Sequence, residues 1–177
     1  LNKLGVKIFK TASADLIDYN LHNYLAKLKK PVIISTGMSS LNDVKKTIQI
    51  YKKNNNSDIS LLHCVSNYPC SLKSINLNVI NSLKKFGFTV GYSDHSNDIM
   101  IPSLAVSIGS MIIEKHFTLN KNFKGPDHKA SFNTNELKKM IKQIRKAELV
   151  MGKKIKKIQP EELEMSKISK KSLYFCK

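Results

Sequence analysis

One unit recurs along this chain. A short, mainly apolar run rich in β-branched residues ends in polar residues, and a stretch with apolar residues at helical spacing follows. The runs are Val6 to Phe9, Val32 to Ile34, Ile59 to Leu62, Phe88 to Tyr92 and Met111 to Ile113. Each is too short for a helix and is bounded by polar residues, so each reads as a buried strand. Between them, Leu21, Tyr24, Leu25 and Leu28 mark an amphipathic helix closed by Lys29-Lys30-Pro31. Ser40 is placed to cap a helix from Leu41, with Val44, Ile48 and Tyr51 on one face. A third helix is expected from about Leu77 to Lys85, and a fourth from Ile99 to Ile108 with Pro102 in its first turn. The longest is expected to start at an N-cap on Thr134 and run to Met151. Leu137, Ile141, Ile144 and Leu149 would face inward, and Gly152 would end it.

Strands apolar on both faces and covered by helices mean a parallel α/β sheet. Two architectures satisfy that, an open doubly wound sheet and part of an eight-stranded barrel. No glycine-rich dinucleotide fingerprint follows the first strand, and polar, chemically useful residues follow every strand. The expectation is therefore a partial TIM (β/α)8 barrel holding about its last five βα units, with the first three outside this sequence. Residues 1–158 would form the barrel part and residues 159–177 a linker to something further on. At 177 residues and 41% hydrophobic, the chain has material for a core. Its net charge of +17 invites a nucleic-acid-binding module as an alternative. The lysines, however, are scattered over most of the helices, as in Lys45-Lys46, Lys52-Lys53 and Lys84-Lys85, with no aromatic interleaving, so nucleic acid is set aside as a partner. Three cysteines, an odd number without regular spacing, suit a reducing, cytoplasmic setting, and no apolar run approaches a membrane span.

Two of the strands deliver a histidine where strand gives way to loop: His95 after Gly91-Tyr92-Ser93-Asp94, and His116 after Glu114-Lys115. In a parallel barrel both imidazoles reach the carboxyl rim, where barrel chemistry sits. Two imidazoles plus open positions suit a borderline divalent metal acting as a Lewis acid. Two ordinary histidines satisfied by carboxylate or backbone partners are the competing account. Ser13, Ser35, Ser66 and Ser93 come one after each of four successive strands and, with Lys10, could form an anion cradle. Taken singly, each could equally be a loop cap. Asp15 and Asp127 could move protons or hold sugar hydroxyls, or merely close turns. Tyr68, just before Pro69, could touch a substrate or cover the rim.

The segments Lys10 to Asp15 (KTASAD), Ser35 to Met38 (STGM), His63 to Pro69 (HCVSNYP), Gly91 to His95 (GYSDH), Glu114 to Thr118 (EKHFT) and Gly125 to Ser131 (GPDHKAS) together resemble the sialic acid synthase family. This family comprises N-acetylneuraminate synthase and its legionaminic acid relatives. Residues 170–173 are similar to its boundary into a C-terminal antifreeze-like domain. The resemblance implies a TIM-barrel transferase that condenses phosphoenolpyruvate with an N-acetylmannosamine-type sugar and water, releasing phosphate. It further implies His95 and His116 as ligands of a divalent metal, Mn2+ first with Mg2+ or Co2+ as alternatives. Lys10, Ser13, Ser35 and Ser93 would hold phosphoenolpyruvate, Asp15 would lie near the reacting carbons, and Tyr68 and Asp127 would contact substrate. Ser66 stands where some members carry Asn. The full-length protein would be a homodimer, and this stretch alone would be inactive, with an unpaired barrel edge. Another phosphoenolpyruvate-dependent keto-deoxy sugar acid synthase is the alternative within enzymes.

Overall fold

The computed structural model describes residues 1–171. Its five strands are β1 (Phe9–Thr11), β2 (Val32–Ser35), β3 (Ile59–Cys64), β4 (Thr89–Asp94) and β5 (Ile112–Lys115), paired parallel in chain order. Seven α-helices accompany them: α1 (Tyr19–Lys27), α2 (Leu41–Lys53), α3 (Leu72–Ile75), α4 (Val79–Lys84), α5 (Ile101–Ser107), α6 (Thr134–Met151) and α7 (Leu163–Ser169). The sheet is curled. Lys10 Nζ on β1 lies 3.3 Å from Glu114 Oε2 on β5. In a flat sheet, strands four steps apart are separated by about 19 Å, more than these two side chains can span. The chain thus forms a half-barrel with one concave face.

Alternation along the strands sorts the residues. Phe9, Val32, Ile34, Ile59, Leu61, Val90 and Tyr92 pack outward into one core with Val44, Ile48 and Tyr51 of α2, Ile80 and Leu83 of α4, and Ala105 of α5. Ser35, Leu62 and Gly91 lie on successive strands in register. A Cβ at Gly91 would come within 2.4 Å of Leu62 Cδ2 and 2.6 Å of the Ile112 carbonyl oxygen, so a side chain does not fit there. A smaller core of Phe132, Met140 and Ile144 seats α6.

Most expected elements are present, with informative shifts. The first strand is Phe9–Thr11 rather than Val6 to Phe9, because only Phe9, Lys10 and Thr11 find partners on β2. Strands β3, β4 and β5 continue past their apolar runs into polar residues, because backbone pairing persists as far as Cys64↔Ser93 and Asp94↔Lys115. The helix expected from Leu77 to Lys85 is α4, Val79–Lys84, and an unexpected short helix, α3, precedes it across Asn76, whose backbone is left-handed at φ 46°. The N-cap of α6 is Asn133, not Thr134. Its Oδ1 accepts from the amides of Asn135 and Glu136, and Glu136 Oε2 accepts from the Asn133 amide. Along α6 the buried stripe is Met140 and Ile144 with Leu137 beside them, whereas Ile141 and Leu149 are exposed. From Lys153 to Lys171 the residues are exposed apart from half-buried Ser166, yet residues 163–169 form a helix where no pattern was expected. Two residues of the 170–173 boundary motif, Ser172 and Leu173, lie outside the described residues.

Two buried histidines brace this frame from the helix side. His22 Nε2–H donates to the Asp15 carbonyl (3.1 Å), leaving Nδ1 to accept from the Tyr51 hydroxyl (2.9 Å). His63 Nε2–H donates to the Ile75 carbonyl (2.7 Å). Burial holds both imidazoles below their ordinary pKa of 6.5. As pH falls through that value the unfolded chain takes up protons that the native state refuses, so stability declines on acidification. The urea midpoint is expected to be lower at about pH 5.5 than at about pH 7.5. An unchanged midpoint would contradict the neutral, buried state of these rings.

Candidate active site at the carboxyl rim

All five strands point the same way, so their C-terminal ends share one rim. His95 follows β4 and His116 follows β5, and their ring centroids are 5.5 Å apart, edge to face. Tyr68 completes an aromatic triangle, 4.1 Å from His95 and 5.3 Å from His116. His95 is buried, and its Nδ1–H donates to the Val65 carbonyl at 2.6 Å. That bond sets the tautomer and directs the Nε2 lone pair towards Ser93 Oγ, 3.3 Å away. The Ser93 hydroxyl has one proton and donates it to Glu114 Oε1 at 2.9 Å. His95 Nε2 is thus a lone pair with no committed donor. Burial, first of all, lowers the His95 pKa, and the neighbouring His116 adds to it, which keeps the ring in the neutral form a cation needs.

The charged groups form a chain across the concave face. Lys10 reaches Glu114, Glu114 accepts from Ser93, and Ser93 faces His95. Asp127 Oδ2 sits 4.0 Å from His116 Nδ1, on a largely exposed side chain. Burial raises the Tyr68 pKa, with Cys64, Asp127 and Glu114 contributing next, so the phenol keeps its proton. Among the described residues no group of three or more His, Cys, Asp or Glu is placed to hold a metal by itself. The donor set that exists is two imidazoles, one with an uncommitted nitrogen. It fits a divalent ion that leaves positions open for other oxygen ligands.

A second cluster lies at the ends of β1, β2 and β3. Ser13 Oγ accepts from the Gly37 amide (3.1 Å) and is 3.0 Å from Cys64 Sγ. Ser66 closes the other side of Gly37. Ser35 is buried as the last residue of β2. Asp15 is turned back on its own loop, with Oδ2 accepting from the Ala12 amide at 2.9 Å. Among the described residues, no hydrogen bond or ion pair joins its carboxylate to His95 or His116. Neither Gly37 nor Cys64 was among the residues singled out from the sequence. The signal available was a glycine directly after a strand, where close approach of other groups is common. Glu114 was noted only as a nearby acid, and its bridging of Lys10 and Ser93 depends on the curl of the sheet.

The fold and this rim define a β/α-barrel protein with a two-histidine centre at the carboxyl ends of its strands. A family model described as the NeuB family matches residues 1–156, and the chain belongs to that family. It is 44% identical over 176 residues to the N,N'-diacetyllegionaminic acid synthase of Campylobacter jejuni, covering 98% of this chain and 53% of that protein. To the N-acetylneuraminate-9-phosphate synthase of Homo sapiens it is 35% identical over 165 residues, covering 92% of this chain and 46% of the human protein. The crystal structure of an N-acetylneuraminic acid synthetase from Leptospira borgpetersenii superposes with a TM-score of 0.87 at 37% identity, covering 95% of this chain and 59% of that one. The chain spans about half the length of the curated relatives it matches.

Gly37 offers a direct test of the second cluster. A Cβ there would lie 2.5 Å from Ser66 Oγ and 2.8 Å from both Cys64 Sγ and Ser13 Oγ. Gly37→Ala is expected to destabilise the fold by about 1–3 kcal/mol in urea unfolding. Wild-type stability in that variant would mean the three side chains are not packed as described.

Proposed function

We propose that the protein carrying this chain is a nonulosonic acid synthase. It would join phosphoenolpyruvate to an N-acetylmannosamine-type N-acylated sugar and water, releasing phosphate. The observation that carries the reading is the pair of imidazoles 5.5 Å apart on adjacent strand ends, with His95 Nε2 uncommitted. Membership of the NeuB family and the names of its relatives as sialic-type acid synthases support it. A divalent cation on His95 and His116, Mn2+ in this reading, would supply Lewis-acid polarisation of the sugar's carbonyl.

The chain's own groups do the rest. Lys10 and the hydroxyls of Ser13, Ser35, Ser66 and Ser93 hold the phosphate and carboxylate of the enol phosphate before charge develops. The Gly37 amide, already aimed at Ser13 Oγ, stiffens one wall of that cradle. Asp15 offers its second carboxylate oxygen towards the reacting carbons, the first being used to close its turn. Asp127 and Tyr68, both largely exposed at the rim, take the sugar's hydroxyl groups. Water adds to the oxocarbenium-like carbon left by C–C bond formation, and phosphate departs from the tetrahedral adduct. No helix among the described residues is long and apolar enough to cross a membrane, and Cys64 and Cys70 are free thiols. These facts agree with a cytoplasmic enzyme, acting in this reading as a homodimer.

The test is phosphate release by the full-length gene product with phosphoenolpyruvate, N-acetylmannosamine and Mn2+. Release is expected only with both substrates, to stop when the metal is chelated, and to fall about 100-fold or more in His95→Ala and in His116→Ala. Release that needs no sugar, or that survives both substitutions, would end this reading.

A further inference from the structure

The residues immediately before the two histidines form a pair that the proposed reaction does not use. Asp94 ends β4, Lys115 ends β5, and the two are register partners. Because successive strand residues face opposite sides, this pair turns away from the face that holds His95 and His116. Lys115 Nζ lies 2.7 Å from Asp94 Oδ2, with side-chain exposures of 2% and 0%. Asp94 Oδ1 accepts from the Tyr92 hydroxyl (3.1 Å) and from the Ser96 amide (2.9 Å). Lys115 also donates to the Ser96 carbonyl and sits 4.0 Å from the centre of the Phe132 ring.

These contacts bracket both histidines. Asp94 and Ser96, one on either side of His95, are both bound by the one ammonium. On the other strand, Lys115 adjoins His116, and the Phe132 amide donates to the His116 carbonyl at 2.9 Å. The Phe132 ring that covers the ammonium therefore belongs to the segment paired with His116. A buried ion pair adds little net stability, since desolvation offsets the attraction, and its best-attested use is to fix register. Register is what this site needs. A slip of two residues between β4 and β5 would carry one imidazole about 6.6 Å along the sheet from the other.

We propose that the Asp94–Lys115 pair is a positioning device that locks the register of β4 on β5 and the exit of the chain from both, so that His95 and His116 stay side by side. Its purpose, a shared divalent cation, rests on the function proposed above; the lock on ring separation does not.

The experiment uses the full-length gene product labelled with 13C-histidine, in which His95→Gln and His116→Gln assign the two imidazole signals. In the metal-free parent, a nuclear Overhauser contact between the His95 and His116 rings is expected. It is lost in Lys115→Met while circular dichroism stays that of the parent, and Lys115→Arg restores it. A Mn2+ titration of the same proteins is expected to show at least a tenfold loss of affinity in Lys115→Met and recovery in Lys115→Arg. If Lys115→Met does not fold, Asp94→Asn carries the same two measurements, since it removes the charge but keeps an oxygen for Tyr92 and Ser96. A ring contact absent from the parent, or ring contact and Mn2+ affinity both kept in a folded variant, overturns the proposal. So does failure of both variants to fold, because the pair would then be needed for stability itself. Should the parent bind no Mn2+ while the ring contact behaves as expected, the metal reading fails and the lock stands.

Discussion

Parallel pairing of β4 with β5 is the interaction on which the rest of this molecule turns. Gly91 to Asp94 lie alongside Ile112 to Lys115 in unbroken register. Parallel strands cannot be joined by a tight turn, so a helix must intervene and return the chain to the same starting edge. Every strand then ends at one rim, and whatever follows a strand is presented there. His95 and His116 are 21 residues apart in sequence, yet this pairing leaves their rings 5.5 Å apart.

Curvature is the second requirement. Lys10 and Glu114 come from the first and last strands and meet only because the sheet bends through four strand intervals. Their contact links the cradle end of the rim, with Ser13, Cys64 and Ser66 around Gly37, to the histidine end through Ser93. The concave face is therefore electrically connected: an anion near Lys10 would change what Glu114 and Ser93 present to His95. The convex face serves a different purpose. His22, His63 and the Asp94–Lys115 pair are buried there, and each ties a loop or strand end to the element behind it. These imidazoles and this ion pair are tolerated away from water because each finds a partner.

Much of the fold was legible in the residues. The five apolar runs, the Ser40 cap, the α2 stripe of Val44, Ile48 and Tyr51, and the stop at Gly152 all follow from local chemistry. The errors lie where tertiary contact overrules local pattern. Val6 and Ile8 look as strand-like as Phe9, but only residues 9–11 find a neighbour to pair with. Ile141 and Leu149 are as apolar as Ile144, yet the small core around Phe132 reaches only the face that bears Met140 and Ile144. At the site, the histidines, the serines and Tyr68 could be picked out because chemically useful residues recur at strand ends. The use made of Lys115 could not, since a lysine next to a histidine carries no mark of being buried.

The sequence by itself determined the class of fold and the candidate chemistry, because hydrophobic periodicity and residue type act over a few neighbouring positions. It also carried the six ordered motifs through which the family could be recognised. Only the tertiary structure decided which of those residues meet. It turned the Asp15 carboxylate back onto its own loop, opened Gly37 to three side chains, and set a charged pair behind the two imidazoles. The reason is physical: register and curl are set by backbone pairing between distant segments, and no local pattern encodes the distance between two strand ends.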